Sequence, residues 1–252
     1  MKNITFIGSG NVATHLAKTL FGSVDICSVY SRNIENANRL AVKLNAIGVD
    51  DLARLDSDVD LNIVTVSDTA IQSVLKGLNK SIRTVHTSGS IDIQVFSGFS
   101  HYGILYPLQT FSKLAELDMA NVPFLIEANS KLFEEEIKTF CNNYLSNNYQ
   151  MANSNLRSEI HLAAVISNNF ITSLLVESEN ILKDNGLSLD LIKPLIDETI
   201  HKSFSDGPKA SQTGPAKRGD TKVIKKQINK IVNPELKEVY KRLTDLIIAQ
   251  NS

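Results

Sequence analysis

Two glycines near the start of the chain have the spacing of a phosphate-binding turn. Gly8, Gly10 and Ala13 form the pattern G-x-G-x-x-A directly after the apolar run from Asn3 to Ile7. Gly8 permits a tight turn, Gly10 lets the backbone approach a pyrophosphate, and Ala13 lets a helix pack closely on the strand. Because the first N–H groups of a helix lack carbonyl partners, this turn predicts a bound dinucleotide, the alternative being an ordinary turn without a ligand. The predicted contacts are Gly8, Ser9, Gly10, Asn11 and Val12.

The residues after the second apolar run indicate which dinucleotide to expect. Asp25 to Tyr30 is followed by Ser31 and Arg32, at the place where an NAD-binding unit carries an acidic residue. A hydroxyl and a planar cation suit a 2′-phosphate, which a carboxylate would repel, so we expect NADP(H). The alternative is that Asn33 or Ser31 only caps the next helix while Arg32 is solvated, and the two interpretations are compatible.

The ends of two further predicted strands should complete the cofactor site. Leu61 to Val66 and Thr84 to Thr87 have the patterns of buried strands. In an open α/β sheet, ligands bind at the edge where the carboxyl ends of the strands meet. The additional cofactor contacts expected at this edge are Val66, Ser67, Asp68, Thr87, Ser88 and Gly89.

The elements that carry these residues alternate between strand and helix over roughly the first 150 residues, which predicts a doubly wound parallel sheet. From Leu156 onward no strand pattern follows. Helices are predicted at Ser158 to Lys183, from Ser188 to about Phe204, at Thr221 to Ile231 and from Pro234 onward. The chain is therefore α/β, with an NADP-binding Rossmann domain at 1–153 and an all-helical domain at 154–252. The helix at Ser158 to Lys183 is apolar on most sides and should be central to the second domain.

Two polar residues interrupt this apolar helix. His161 and Asn168 are seven residues apart, which in an α-helix is two turns, so both side chains should point the same way. They could make hydrogen bonds within the core or across a dimer. Alternatively they face the nicotinamide in the cleft between the domains, with His161 as proton donor and Asn168 orienting the substrate or the carboxamide.

A polar loop, T-G-P-A-K-R-G-D from Thr213 to Asp220, lies between the later helices. Thr213, Lys217 and Arg218 could bind substrate, with Lys217 or Arg218 closing over an anionic group. The alternative is a loop whose Asp220 caps the next helix and whose cations are solvated.

Composition excludes several other classes of function. The 252 residues carry a net charge of −1, so no overall field attracts nucleic acid or an anionic membrane. No apolar run approaches the ~18 residues of a membrane span, and no metal-ligand spacing is present. The fold begins within the first few residues, which argues against a signal peptide. The two cysteines are expected to be buried free thiols, which favours a reducing cytoplasm.

The chain resembles a bacterial family of Rossmann-like proteins whose helical half is catalogued as domain of unknown function number 2520. The resemblance rests on Gly8 to Ala13, on H-L-A-A-V-I-S-N-N-F from His161 to Phe170, and on Thr213 to Asp220. The segment Tyr106 to Phe111 resembles the H-P-L-Q-T-F of the family, with Tyr106 in place of His. Such proteins are usually described as NADP oxidoreductases, sometimes as relatives of deazaflavin-dependent NADP reductases.

More distantly, the order of elements is similar to the 6-phosphogluconate dehydrogenase and pyrroline-5-carboxylate reductase superfamily. Aligning Asn168 and Asn169 with the K-x-x-N-N of its hydroxyacid branch puts Val165 where that branch has a catalytic lysine. The resemblance implies a nicotinamide cofactor, a cleft between two domains and a helix-mediated homodimer. We therefore expect an NADP(H)-dependent oxidoreductase of a small carbonyl or imine substrate; the alternative is a non-catalytic NADP(H)-binding redox sensor or regulatory protein.

Overall fold

The structure is a computed structural model that describes residues 1–112 and 116–251. The chain divides into two compact units, Met1–Ile166 and Ser167–Ser252.

The first unit is built on a single eight-stranded sheet with the order β3-β2-β1-β4-β5-β6-β7-β8. All neighbouring strands pair in parallel except β6 and β7, which are antiparallel. This is the predicted Rossmann-type sheet, extended by two strands that run in the opposite direction. The strands are β1 (Asn3–Ile7), β2 (Asp25–Tyr30), β3 (Ile47–Val49), β4 (Leu61–Val64), β5 (Arg83–His86), β6 (Tyr102–Pro107), β7 (Phe124–Ala128) and β8 (Tyr149–Met151).

Helices cover both faces of this sheet, and the sheet separates two apolar clusters, one on each face. Successive residues of β1 illustrate the division, since Phe6 packs into one cluster and Ile7 into the other, both fully buried. Such two-sided burial explains why the strand sequences are continuously apolar rather than alternating. The helices are α1 (Asn11–Leu20), α2 (Ile34–Ala41), α3 (Asp68–Lys76), α4 (Lys131–Tyr144) and α5 (Ser154–Ala164).

In its described part, the second unit contains helices and no strand. Two of its helix starts were predicted correctly from the sequence: Asp220 accepts the N–H of Val223, and Asn233 accepts the N–H groups of Glu235 and Leu236. The helices are α6 (Phe170–Lys183), α7 (Lys193–Ser205), α8 (Pro208–Ser211), α9 (Thr221–Lys230) and α10 (Pro234–Asn251).

The long helix predicted at Ser158 to Lys183 differs from that prediction in two respects. It begins earlier, at Ser154, because the side chain of Asn153 accepts the N–H of Leu156 and caps it. It also has π-helical geometry at Val165–Asn169, which we call the π segment. Because a π turn contains more residues than an α turn, seven residues no longer make two turns here. The expected common direction of His161 and Asn168 assumed regular α-helix throughout, and it stays a prediction.

The division into units falls inside this long helix rather than at residue 153, where the sequence suggested a boundary. The first turns of α5 belong to the sheet unit because Arg157 is fully buried there and bonded to Glu127 of β7. The expected central burial of the helix is also not seen in the single chain. No residue of α6 is buried, although half of its residues are apolar.

By length and composition alone, the continuous helix Ser154–Lys183 could cross a membrane, which the sequence analysis did not anticipate. This is weak evidence, because an apolar helix of a soluble protein satisfies the same criteria. One end of the helix is fixed to the sheet through the ion pair between Arg157 and Glu127.

Candidate functional site

The turn after β1 accepts only glycine at its first position. Gly8 has a φ of +127°, and a Cβ atom there would lie 2.6 Å from Thr65 Oγ1 and 2.9 Å from the Thr65 carbonyl carbon. Gly10 differs, because an added Cβ would have nothing within 4 Å. Gly8 is thus required by the fold, whereas the open space at Gly10 fits the predicted close approach of a pyrophosphate.

The N-terminus of α1 is open to an anion. Gly10 precedes the helix without a side-chain cap, and the first turn contains no acidic residue. The side chain of Asn11 does not cap these N–H groups, because its Nδ2 instead donates to the carbonyl oxygen of Phe111 at 2.8 Å. The uncapped N–H groups and the helix dipole favour a negatively charged group at this position, so the geometry fits the predicted dinucleotide.

A cleft of about 380 Å³ lies beside this turn. It lies at the carboxyl ends of β1, β2 and β4, beside the point between β1 and β4 where the chain order of the sheet reverses. Seven predicted cofactor contacts line it: Gly8, Ser9, Gly10, Ser31, Arg32, Val66 and Ser67.

The sequence left two roles open for the residues after β2, capping of the next helix and binding of a 2′-phosphate, and these roles suit different residues. Asn33 caps α2 by accepting the N–H groups of Glu35 and Asn36, so the capping alternative is correct for that residue. Arg32 is exposed, and within the described residues no carboxylate forms an ion pair with it. Its guanidinium remains available for a phosphate.

The loop after β5 is organised by short polar contacts. Ser88 Oγ accepts the N–H groups of Ser90 and Ile91 at 3.1 Å each, and Ser90 Oγ donates to Asp68 Oδ2 at 2.5 Å. The N–H of Ser88 donates to Nδ1 of His86. Burial, together with the nearby charge of Arg157, lowers the pKa of His86 to about 3, so this imidazole is neutral and serves as an acceptor.

The other predicted cofactor contacts lie at the same end of the sheet but do not line the cleft. Thr87 Oγ1 lies 3.4 Å from the carbonyl oxygen of Val64, and Val12 is half-buried in the first turn of α1. Asp68 and Ser88 hold the loop after β5, as described above, instead of lining the cleft.

The side chains of Tyr106 and His161 form a pair over this loop. The Tyr106 hydroxyl lies 2.9 Å from Nδ1 of His161, and the two rings meet edge to face with centroids 5.8 Å apart. Gly89 leaves room for them, since a Cβ there would be 2.7 Å from His161 Nδ1 and 2.9 Å from Tyr106 Cζ. Gly89 is therefore a packing partner of the pair.

Burial raises the pKa of Tyr106, and the nearby Asp68 carboxylate raises it further against the opposing charge of Arg157. The phenol therefore keeps its proton at neutral pH. Tyr106 was not among the predicted site residues, although it lies near the end of β6, next to β5, and predicted cofactor contacts follow β5. Its position at the end of β6 was the signal that could have identified it.

The predicted substrate residues belong to the second unit. Asn168 lies in the π segment and is exposed, as are Thr213, Lys217 and Arg218. Lys217 Nζ donates to the carbonyl oxygen of Gln212 at 2.7 Å, which orders the loop. Within the described residues, no group of three or more His, Cys, Asp or Glu side chains has the arrangement of a metal site.

The fold and the turn after β1 define the class of nicotinamide-dinucleotide-binding oxidoreductases. Two family models match the chain: residues 3–91 match "NADP oxidoreductase coenzyme F420-dependent" and residues 122–247 match the domain of unknown function DUF2520. A protein from Bacteroides fragilis with the name "putative NADP oxidoreductase" is 38% identical, with a TM-score of 0.91 over 98% of both chains. The chain belongs to this DUF2520 family of NADP oxidoreductases, which confirms the predicted family and the predicted cofactor, NADP(H).

More distant structures share the fold. A reductive aminase from Aspergillus terreus, in complex with NADPH4, cyclohexanone and allyl amine, is 14% identical with a TM-score of 0.72 over 99% of this chain and 94% of its own. A 1-pyrroline-5-carboxylate reductase from Streptococcus pyogenes is 16% identical, with a TM-score of 0.62 over 99% and 97%. No curated protein sequence matches the chain significantly.

The two glycines of the turn should respond differently to substitution by alanine. Gly10→Ala leaves the fold intact because its Cβ meets open space, but it should weaken NADPH binding at least tenfold because the Cβ occupies the path of the pyrophosphate. Gly8→Ala should destabilise the protein, because it combines a strained φ with a clash against Thr65.

Calorimetric titration with NADPH and chemical denaturation of each variant separate the two effects. A Gly10→Ala variant that binds NADPH as tightly as the parent would show that the pyrophosphate does not pass this position.

Proposed function

We propose that the protein is an NADPH-dependent reductase of a small carbonyl or imine compound, in which Tyr106 and His161 form the proton-donating pair. The observation that carries the proposal is the 2.9 Å hydrogen bond between these side chains at the end of the sheet that holds the glycine turn. A dinucleotide-binding protein without catalytic function has no need of a paired phenol and imidazole there. The pair therefore favours the enzyme over the alternative of a redox sensor.

The chain's own residues would hold the cofactor at the turn and cleft already described. The uncapped N-terminus of α1 would bind the pyrophosphate, and Arg32 with Ser31 would bind the 2′-phosphate. When bound, NADPH supplies the hydride that reduces the substrate carbon.

The proton would come from His161. Among the described residues, Nε2 of this imidazole has no hydrogen-bond partner, whereas Nδ1 is held by Tyr106. A protonated imidazole can give its Nε2 proton to the oxygen or nitrogen of the substrate while its Nδ1–H donates to the phenol oxygen. After the transfer, the phenol still holds the neutral ring, so the ring orientation is kept in both states.

The substrate class is supported by the ketone and amine named with the reductive aminase. The roles predicted for Asn168, Thr213, Lys217 and Arg218 stay predictions, and all four side chains are exposed to a ligand. A reducing cytoplasm is the compartment we propose, because Cys27 and Cys141 are both free thiols.

Replacing the proton donor should abolish most turnover and leave cofactor binding unchanged. A positioned general acid typically contributes about 10²–10⁴ in rate, so His161→Ala should lose that much of kcat, and Tyr106→Phe should lose less because the imidazole remains. Oxidation of NADPH with cyclohexanone plus allyl amine, and with a panel of cyclic imines, measures turnover.

His201→Ala is the matched control, because His201 is an exposed histidine of α7. Unchanged turnover in both His161→Ala and Tyr106→Phe would refute the pair. No turnover by the parent on any member of the panel, combined with tight NADPH binding, would favour the sensor.

Cofactor preference should depend on Arg32. A charge-assisted hydrogen bond to a phosphate contributes roughly 1.5–3 kcal/mol, so the parent should bind NADP(H) at least tenfold more tightly than NAD(H). Arg32→Ala should remove this preference, whereas the exposed Arg242→Ala should retain it. Titration of both cofactors into each protein checks this, and an unchanged preference in Arg32→Ala would contradict it.

The second unit indicates a homodimer. Only Ala216, Ile224 and Thr244 are buried among its described residues, while large apolar side chains such as Phe204 (90% exposed) and Val232 (94%) face solvent. A helical unit that buries so little cannot stabilise itself, because apolar burial is the main force that opposes chain entropy. We infer that a second copy of the chain covers this surface.

Two charges in the first half of α6 should disrupt that dimer. The parent should be a dimer by light scattering at micromolar concentration, and Phe170→Glu with Leu174→Glu should dissociate or destabilise it, because both side chains are exposed apolar groups. Lys183→Glu, on an exposed lysine of the same helix, is the control. A monomeric parent would contradict the prediction.

A further inference from the structure

A buried cation lies one helical turn before His161. The side chain of Arg157 is fully buried, and its guanidinium donates from Nη1 to Glu127 Oε2 at 2.6 Å and from Nη2 to the carbonyl oxygen of Ile91 at 2.5 Å. Ser154 joins the same network, because its hydroxyl donates to Glu127 Oε2 at 2.8 Å and accepts the N–H of Ile93 at 3.0 Å. The network thus connects α5, β7 and the segment that follows the loop after β5.

Stability alone does not account for this network. Removing two charges from water is costly, and well-packed apolar residues often replace a buried ion pair without loss of stability. A guanidinium that donates to two different partners does, however, fix both of them in one geometry. Arg157 lies on the helix that carries His161, and its partners are Glu127 of β7 and the carbonyl oxygen of Ile91, two residues after Gly89.

Both partners of the proton-donating pair depend on that geometry. Arg157 and His161 are four residues apart within α5, before the π segment begins, so they lie on the same face of the helix. Ile91 ends the loop in which Gly89 packs against both rings. A small movement of either element would therefore separate the Tyr106 hydroxyl from His161 Nδ1.

We propose that Arg157, which does not reach the substrate, is the positioning residue of the Tyr106–His161 pair: through Glu127 and Ile91 it fixes helix α5 and the loop after β5 in the register that the hydrogen bond requires. This rests on the proposed function for its kinetic consequence only. The geometric consequence, a changed environment of His161, is independent of any substrate.

The sharpest test replaces the ion pair by apolar groups of similar size. Arg157→Met combined with Glu127→Leu leaves no unpaired buried charge, so the protein should stay folded. We expect NADPH affinity within twofold of the parent, unchanged KM, and kcat lowered about 10²-fold, the loss typical of a misplaced catalytic group. Arg157→Lys should also lower kcat, because a compact ammonium does not reproduce the planar fork that reaches both Glu127 and Ile91.

The environment of His161 is followed by ¹⁵N NMR of histidine-labelled protein, assigned by comparison with His161→Ala. Tyr106→Phe gives the spectrum of an unpaired imidazole, and we expect the Arg157 variants to reproduce that spectrum at His161. Arg83→Lys is the control, because it makes the same substitution in a half-exposed bidentate pair with Glu136, at the start of β5.

The outcomes separate the two proposals. Arg157 variants that keep the parent signal of His161 and the parent kcat overturn the positioning role and leave the proposed function intact. If Tyr106→Phe leaves the His161 signal unchanged, the pair itself does not exist in solution and both proposals fail. A parent without turnover whose Arg157 variants still lose the paired signal supports the positioning role and refutes the reductase.

Discussion

The common direction of strands β1 to β6 is the constraint on which the chemistry of the first unit depends. Because these six strands run in parallel, every segment that leaves a carboxyl end emerges at one edge of the sheet. The glycine turn follows β1, Arg32 follows β2, the loop with Gly89 follows β5, and Tyr106 lies at the end of β6. Residues that are a hundred positions apart in sequence are thereby brought to one end of the fold.

Three glycines at this edge perform three distinct functions. Gly8 is needed for its backbone conformation, since its φ of +127° would strain any other residue. Gly89 is needed for space, because His161 and Tyr106 already occupy the position of a Cβ atom. Gly10 has neither constraint from the protein, and an unconstrained glycine beside an uncapped helix is what close approach of a ligand requires. The protein atoms alone thus distinguish structural glycines from the one that would face the cofactor.

Local patterns predicted most of the fold, because strands and helices are encoded by periodicity over a few residues. The helix Lys131–Tyr144, the glycine turn and the cap by Asn233 were all read from neighbouring residues. The pairing of Tyr106 with His161 could not be read in this way, since it joins side chains 55 residues apart. The π segment was equally invisible, because the sequence of Val165–Asn169 is compatible with an ordinary α-helix.

The pairing also bears on the lysine that the hydroxyacid branch of the superfamily places on this helix. The resemblance to that branch aligns Val165 with the lysine; Val165 lies in the π segment, while His161 lies one turn earlier in regular α-helix. A lysine keeps its positive charge near the reacting atoms, whereas the proposed imidazolium of His161 loses its charge when it donates its proton, and the phenol of Tyr106 stays neutral. Such a pair suits an uncharged carbonyl or imine. An anionic group on the substrate would need a cation from elsewhere in the chain, which is the part predicted for Lys217 or Arg218.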